Sequence, residues 1–436
     1  MRNFLNVADN ALRHFIDSTE FDASIVHHLL FQDDVLIDES YLGDSPLVFN
    51  HVLRAREQGQ DSLFLSAIEQ GIFLPAFRTL SNDPVGSWLE RMEQFYGTEY
   101  PLLKPQHRTL RHLFTTSLKK GGDGHSPVAW PVEHGTSREQ IFLEELRARL
   151  QRTTQPGPTE GDSERVDAVA GGLSGLWNVT EPWRYDLVER AAQVTRDKGR
   201  SGVARTEIVN ELGRQFGVAP TGDGSQTDLI FESTGITSPA AAFFKWVTQC
   251  HHIAQARFFA TAIHFPVYNL STDFVAQDLL QHPQPAEPDS THRRLHCDIQ
   301  LPPAQKLALV QPATLIDIRQ RFGAAYFEAV DEWAIHPSER TALSVKQTLN
   351  EYASQLNRLL TPQSLYRIVL AREAPRDILS EDVANVADAL GSVEGVPGGS
   401  YVKVVRSVYQ SIRWYSARRQ YLPKIQTIDV TLPELP

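Results

Sequence analysis

SERTALSVKQTLNEYASQLNRLL, residues 338–360, carries the strongest periodic signal in the chain. Ala342, Val345, Leu349, Tyr352, Leu356 and Leu359 recur at steps of three and four, with Lys346, Asn350, Gln355 and Arg358 between them. That spacing gathers the apolar side chains into one stripe along a helix. Ser338 supplies a hydroxyl cap, and Pro337 marks the break before it. The repeat lasts less than three heptads. A helix packed inside a globular bundle therefore fits better than a free coiled coil.

Working outward, residues 312–436 read as an almost entirely helical C-terminal domain. Thr314 can cap a helix toward Arg321, a second runs over 324–333 after Gly323, and Ser380 opens a short one. Gly398-Gly399 makes a turn before a final long helix over 401–419. Residues 166–311 read as a helical middle domain, with helices over 204–216 and from Ser238-Pro239 onward. Phe243, Val247, Ala254 and Phe258 share a face of the latter, and Pro266 closes it. A Pro-rich stretch then extends from residue 282 to Pro312. The polar, Pro- and Gly-rich segment 153–165 reads as a linker.

Residues 1–152 differ from the rest. Val35-Leu36-Ile37 between acidic pairs reads as a short buried strand, and Ser45-Pro46 as the cap and first turn of a helix. Asp61 is placed to cap a further helix ending at Gly71, and Ile72-Phe73-Leu74 reads as a second strand stopped by Pro75. Strand, two helices, strand implies a parallel pair with a helical crossover. Thr136-Ser137-Arg138-Glu139 has capping-box spacing and opens a helix toward Arg152. The expected fold class is thus mainly α and multi-helical, with a small α/β unit near the N-terminus.

Bulk properties narrow the functional classes. Hydrophobic residues make up 41% and charged residues 22% of the 436, ordinary values for a globular protein with a sizeable core. No run approaches the ~20 apolar residues needed to span a bilayer, and the opening residues lack a signal peptide's apolar core. Two cysteines give no disulfide framework, so a reducing, cytoplasmic setting is expected. The net charge of −11 repels phosphate backbones overall, which confines any nucleic-acid contact to a local basic patch.

Three groups of residues could carry chemistry. Between Ser400 and Ile425 the chain has Lys403, Arg406, Arg413, Arg418, Arg419 and Lys424 and no acid, with Tyr409, Trp414, Tyr415 and Tyr421 interleaved. Such a segment can bind a protein partner, or single-stranded nucleic acid through phosphate contacts and stacking. Val404, Val405, Val408, Ile412 and Tyr415 are expected on its buried face. Cys250 and His251 in one segment, with His296 and Cys297 in another, are candidate zinc ligands by residue type, although their spacing matches no zinc module. Asp34, Asp38 and Glu39 flank the first expected strand, and Asp38 and Glu39 fall at its carboxyl end, where parallel sheets take ligands.

Over residues 34–78 the strand–helix–helix–strand order resembles the opening of PIN-type nucleases, which carry an aspartate at the end of the first strand. The resemblance implies magnesium at Asp38 and phosphodiester hydrolysis. It departs from that family after 73–77, where no acid occurs before Asp83. No GxxxxGK[ST], strand-linked GxGxxG, GxSxG or HExxH is present. Without a clear catalytic constellation, the leading expectation is a helical protein that binds a macromolecular partner, most simply a protein. A magnesium-dependent nuclease and a nucleic-acid-binding regulator are the alternatives.

Overall fold

The DVLID segment is apolar at its centre and acidic at its ends, and it forms the middle strand of a parallel sheet. The computed structural model describes residues 2–5, 8, 16–78, 82–97, 101–124, 128–129, 138–153, 294–373, 408–409 and 411–431, plus scattered residues between 189 and 269. Its elements run β1 (Arg2–Phe4), α1 (Ser18–Phe31), β2 (Asp34–Asp38), α2 (Tyr41–Asp44), α3 (Pro46–Glu57), α4 (Leu63–Glu69), β3 (Phe73–Phe77) and α5 (Pro84–Tyr96). Next come α6 (Arg108–Gly124), β4 (Val128–Ala129), α7 (Arg138–Thr153) and β5 (Tyr268–Asn269). The chain continues through β6 (Arg294–Leu301), α8 (Ala304–Leu307), α9 (Pro312–Phe322), α10 (Ala324–Ile335), α11 (Glu339–Leu359), α12 (Pro362–Glu373) and β7 (Lys424–Thr431). Residues 408–409 and 411–417 are also helical. The described chain is mainly helical with two small sheets, the expected class.

The first sheet has order β4-β3-β2-β1-β5, and every pairing in it is parallel. Strand order reverses between β1 and β5, so the sheet has the switch point of a doubly wound fold. Val35, Leu36 and Ile37 are fully buried, as helix-covered parallel strands require. Pro75 lies inside β3 rather than ending it, and Ile37 pairs with it. The ladder to β4 starts only at Ala76, beyond the proline's missing donor.

Capping chemistry sets several helix starts. Asp17 and Glu20 form a capping box that opens α1, Ser45 with Pro46 opens α3, and Ser62 rather than Asp61 caps α4. Gly71 follows α4 at φ +66°, a conformation that side chains with a Cβ rarely adopt. Ser338 caps α11 by accepting from the Thr341 amide. Ser338→Ala is expected to cost about 1 kcal/mol, read as a lowered midpoint in urea with unchanged slope.

In α11, Val345, Leu349, Tyr352 and Leu356 are buried while Leu359 is exposed, so the apolar stripe is in contact through its centre. The helical segment after residue 303 shares one hydrophobic core with the α/β unit. Tyr352 meets Phe31 of α1 edge-on with ring centroids 6.0 Å apart, and the Tyr326 hydroxyl donates to the Phe31 carbonyl at 3.3 Å. Arg319 of α9 donates to the Asp33 carbonyl and lies 4.3 Å from the Phe327 ring centroid. Burial lowers the pKa of this guanidinium, and the charge interactions with Tyr352, Asp33 and Asp34 partly offset the burial.

Two strands lie where helix or loop was expected. β6 and β7 form an antiparallel pair from Arg294↔Thr431 to Leu301↔Lys424. In β6, Leu295, Cys297, Ile299 and Leu301 point inward while His296, Asp298 and Gln300 are exposed. This two-residue alternation is a strand signal that the neighbouring prolines obscure. The expected helix opened by Ser380, the Gly398-Gly399 turn and the segment beyond Thr153 to residue 188 lie outside the described residues.

Candidate functional site

Two surfaces bring functional side chains together. The first sits above the carboxyl ends of β2 and β3. Asp38 ends β2 and Glu39 follows it, and both are buried. Asp38 Oδ1 accepts from the Ser40 amide and hydroxyl, each at 3.0 Å. Asp38 Oδ2 accepts from Gln255 Nε2 at 2.9 Å. Glu39 Oε2 accepts from the Arg78 amide at 2.9 Å and from the Arg91 guanidinium at 2.7 Å. Burial pushes the Glu39 carboxyl above the usual carboxylate range, against the opposing pull of Arg78 and Arg91.

A helical segment, described at residues 247–248, 250–252, 254–255 and 258, reaches across to this end of the sheet. Its His252 shares a 2.9 Å hydrogen bond with the Tyr41 hydroxyl and lies 3.3 Å from Gln255 Oε1. Asp38, Gln255, His252 and Tyr41 thus form one buried polar chain. Asp34 is absent from it. As the first residue of β2 it lies at the amino end of the strand, about 13 Å away at ~3.3 Å per residue.

This arrangement bears on the ligand sets expected from sequence. Asp38 and Glu39 face two arginines instead of further acids. Among the described residues, no group of three or more His, Cys, Asp or Glu is placed to share a metal ion. Cys250 is buried on the helix that carries His252, with His251 beside it. Cys297 points into the core, whereas His296 points out of the other face of β6. Neighbouring strand residues so disposed cannot close on one ion.

The second surface is the basic helix near the C-terminus, and its orientation differs from the expected one. Trp414, expected on the binding side, is turned inward. Its ring centroid lies 4.9 Å from that of Tyr366 and 6.1 Å from that of Tyr421. Ala417 also packs against the core. Val408, Ile412 and Tyr415, expected to be buried, are 52%, 64% and 79% exposed. The aromatic cluster of α12 and Tyr421 therefore captures the Trp414 face and leaves the aliphatic one outside. Arg413, Arg418 and Arg419 are exposed, while Arg406 lies outside the described residues.

Sequence reasoning placed Asp38, Glu39, Arg413, Arg418 and Arg419 in candidate sites but missed Arg78, Arg91, Tyr41, His252 and Gln255. Arg78 carried a local signal, because it directly follows an expected strand on the sheet's carboxyl side. Gln255 carried none, since 217 residues separate it from Asp38. No protein family, curated protein or solved structure matches this chain. No described helix is long and apolar enough to cross a membrane.

Proposed function

We propose that this protein acts by docking another protein on its C-terminal helix, and that the partner presents an acidic amphipathic helix. The observation that carries this reading is the exposed stripe of Val408, Ile412 and Tyr415. These positions, four and three residues apart, line one helix face, and an exposed apolar face of this kind marks an interaction surface. The stripe runs toward exposed Arg418 and Arg419, with Arg413 beside it. A shallow depression on the same face is lined by Val408, Ser411, Ile412, Tyr415 and Ser416. An apolar centre edged by guanidinium groups complements a helix with leucine-like anchors and flanking carboxylates.

Nucleic acid fits this face less well. Trp414, the best stacking platform of the segment, is committed to Tyr366 and Tyr421. The chain's net −11 also opposes a phosphate backbone. A magnesium-dependent phosphodiesterase gains no support from Asp38 and Glu39, because Arg91 and Arg78 already balance their charge.

Photo-crosslinking from position 412 in full-length protein tests the proposal. A nuclease-resistant protein adduct is expected, and Ile412→Asp with Tyr415→Ser should lower its yield at least tenfold. Loss of two central anchors costs about 2 kcal/mol or more of binding. The thermal midpoint should stay within about 2 °C, because both side chains are solvent-facing. Arg418→Glu with Arg419→Glu should weaken capture further at low salt than at high salt. Adducts that vanish on nuclease treatment, or capture indifferent to Ile412 and Tyr415, refute the reading.

A further inference from the structure

β7 has a strand neighbour on one side only. Among the described residues it pairs with β6 alone, from Arg294↔Thr431 to Leu301↔Lys424. Its side-chain hydrogen bonds run to that same neighbour and the residue after it. Thr427 Oγ1 donates to Asp298 Oδ1 at 2.6 Å, and Gln426 Nε2 donates to the Pro302 carbonyl at 3.1 Å. β6 is the protected member of the pair, because α11 packs against it and Asn357 Nδ2 donates to the Gln300 carbonyl at 2.7 Å. An antiparallel strand turns the amides and carbonyls of alternate residues away from its partner. The 8 residues of β7 therefore carry an unpaired row of both along the second edge.

The side chains on this strand suit an edge that is used. Ile425 is 72% exposed, Thr427 two residues on is also exposed, and Leu422 just before the strand is 38% exposed. Idle edges are commonly blunted by charge or proline, and the central residues Ile425, Gln426, Thr427 and Ile428 carry neither. The surroundings select the partner. Arg413, Arg418, Arg419 and Lys424 are exposed, and the sequence has no Asp or Glu between Ser400 and Ile428. None of the four cations is ion-paired with an acid among the described residues. A second copy of the chain would bring the same cations against themselves, whereas an acidic segment is attracted.

We propose that the free edge of β7 takes up an extended acidic segment of another protein as a third strand, paired through its main chain. Ile425 packs on the apolar side chains of that segment, and Lys424 and Arg419 draw its carboxylates. The edge is a separate surface from the face of Val408, Ile412 and Tyr415, and this inference does not rest on that one.

Fluorescence anisotropy tests this with full-length protein and a labelled decapeptide in which glutamate alternates with valine, at neutral pH and low salt. Binding with Kd of about 100 μM or tighter is expected. The same peptide with every backbone amide methylated, or with lysine in place of glutamate, should bind at least tenfold more weakly. Ile425→Asp should also weaken binding at least tenfold, with an unchanged melting temperature because the side chain faces solvent. Ile412→Asp with Tyr415→Ser should leave binding intact, which separates the edge from the helix face. The proposal is overturned by no binding up to about 1 mM, by a methylated peptide that binds as its parent does, or by binding that survives Ile425→Asp. Peptide binding lost with Ile412 and Tyr415 would place the peptide on the helix and refute the edge. Sedimentation of the chain alone as a dimer that Ile425→Asp dissociates would hand the edge to a second copy, and equally overturns the proposal.

Discussion

Trp333→Ala is expected to destabilise the whole described core by about 3–5 kcal/mol, and to do so in one cooperative transition. Trp333 is among the largest fully buried side chains, on the α10 face that also carries Tyr326, Phe327, Ala329 and Val330. Removing an indole there loses its transfer free energy and leaves a cavity that rigid neighbours cannot close. α10 and α11 pack extensively against each other among the described residues. Tyr326 and Tyr352 lie with rings 6.4 Å apart, and Tyr352 reaches on to Phe31 of α1. A defect in α10 is thereby transmitted to the α/β unit through side chains in direct contact. Urea unfolding followed by both far-ultraviolet dichroism and tryptophan fluorescence checks this. Six other tryptophans remain as reporters. Coincident transitions are expected, with a lowered midpoint and the wild-type slope. Two separated transitions, only the first sensitive to Trp333→Ala, would show that bundle and sheet fold independently. Against a typical total of about 5–15 kcal/mol, the loss is large enough to leave a measurable unfolded population at 37 °C.

What the sequence made legible follows the range of the interactions involved. α11 was readable because its signal is local: a serine cap, then apolar residues once per turn. β2 was readable because three β-branched or leucine residues between acids have few other ways to be buried. β6 was not, although Leu295, Cys297, Ile299 and Leu301 alternate cleanly, because prolines nearby suggested loop. Its partner β7 lies more than a hundred residues further on, so the pairing that makes both of them strands is a tertiary event. Asp61 and Ser62 are both competent caps, and only the three-dimensional entry of α4 selects the serine.

The C-terminal helix shows the same limit in functional terms. Its sequence offers two competing inner faces, one aliphatic through Val408, Ile412 and Tyr415, the other through Trp414 and Ala417 toward Tyr421. Hydrophobicity alone favours the first. Tyr366 on α12 and Tyr421 beside Lys306 of α8 supply an aromatic partner for the second, and that partner decides the rotation. The exposed stripe proposed as a docking surface is therefore a consequence of contacts that local pattern cannot reveal. At the sheet, likewise, Asp38 and Glu39 were visible as acids at a strand end. The arginines that balance them and the helix that lends Gln255 were not, because they come from distant segments.

Acidification from pH 6.5 to pH 4 is expected to remove roughly 3 kcal/mol of stability through His28 alone. His28 is buried on α1, and its Nδ1 lies 2.8 Å from the Ser24 carbonyl oxygen, which can only accept. The ring is therefore held as the neutral tautomer with its proton on Nδ1. Burial lowers its pKa from 6.5 to about 4, and the Ser24 contact only partly opposes the shift. Because the folded value lies below the unfolded one, the unfolded chain binds more protons between the two. Stability is thus fully present above pH 6.5, falls as pH drops through that window, and levels off below about pH 4. Glu39 runs the opposite way: its raised pKa favours the fold at low pH and gives up that contribution as pH rises. The chain has fourteen other histidines and 53 Asp and Glu residues, so the effect is read as a difference. The stability of wild type minus that of His28→Gln, measured in urea from pH 4 to pH 7, should rise by up to ~1.4 kcal/mol per pH unit. A flat difference curve would mean that His28 reaches solvent in the folded state and that its burial on α1 is wrong.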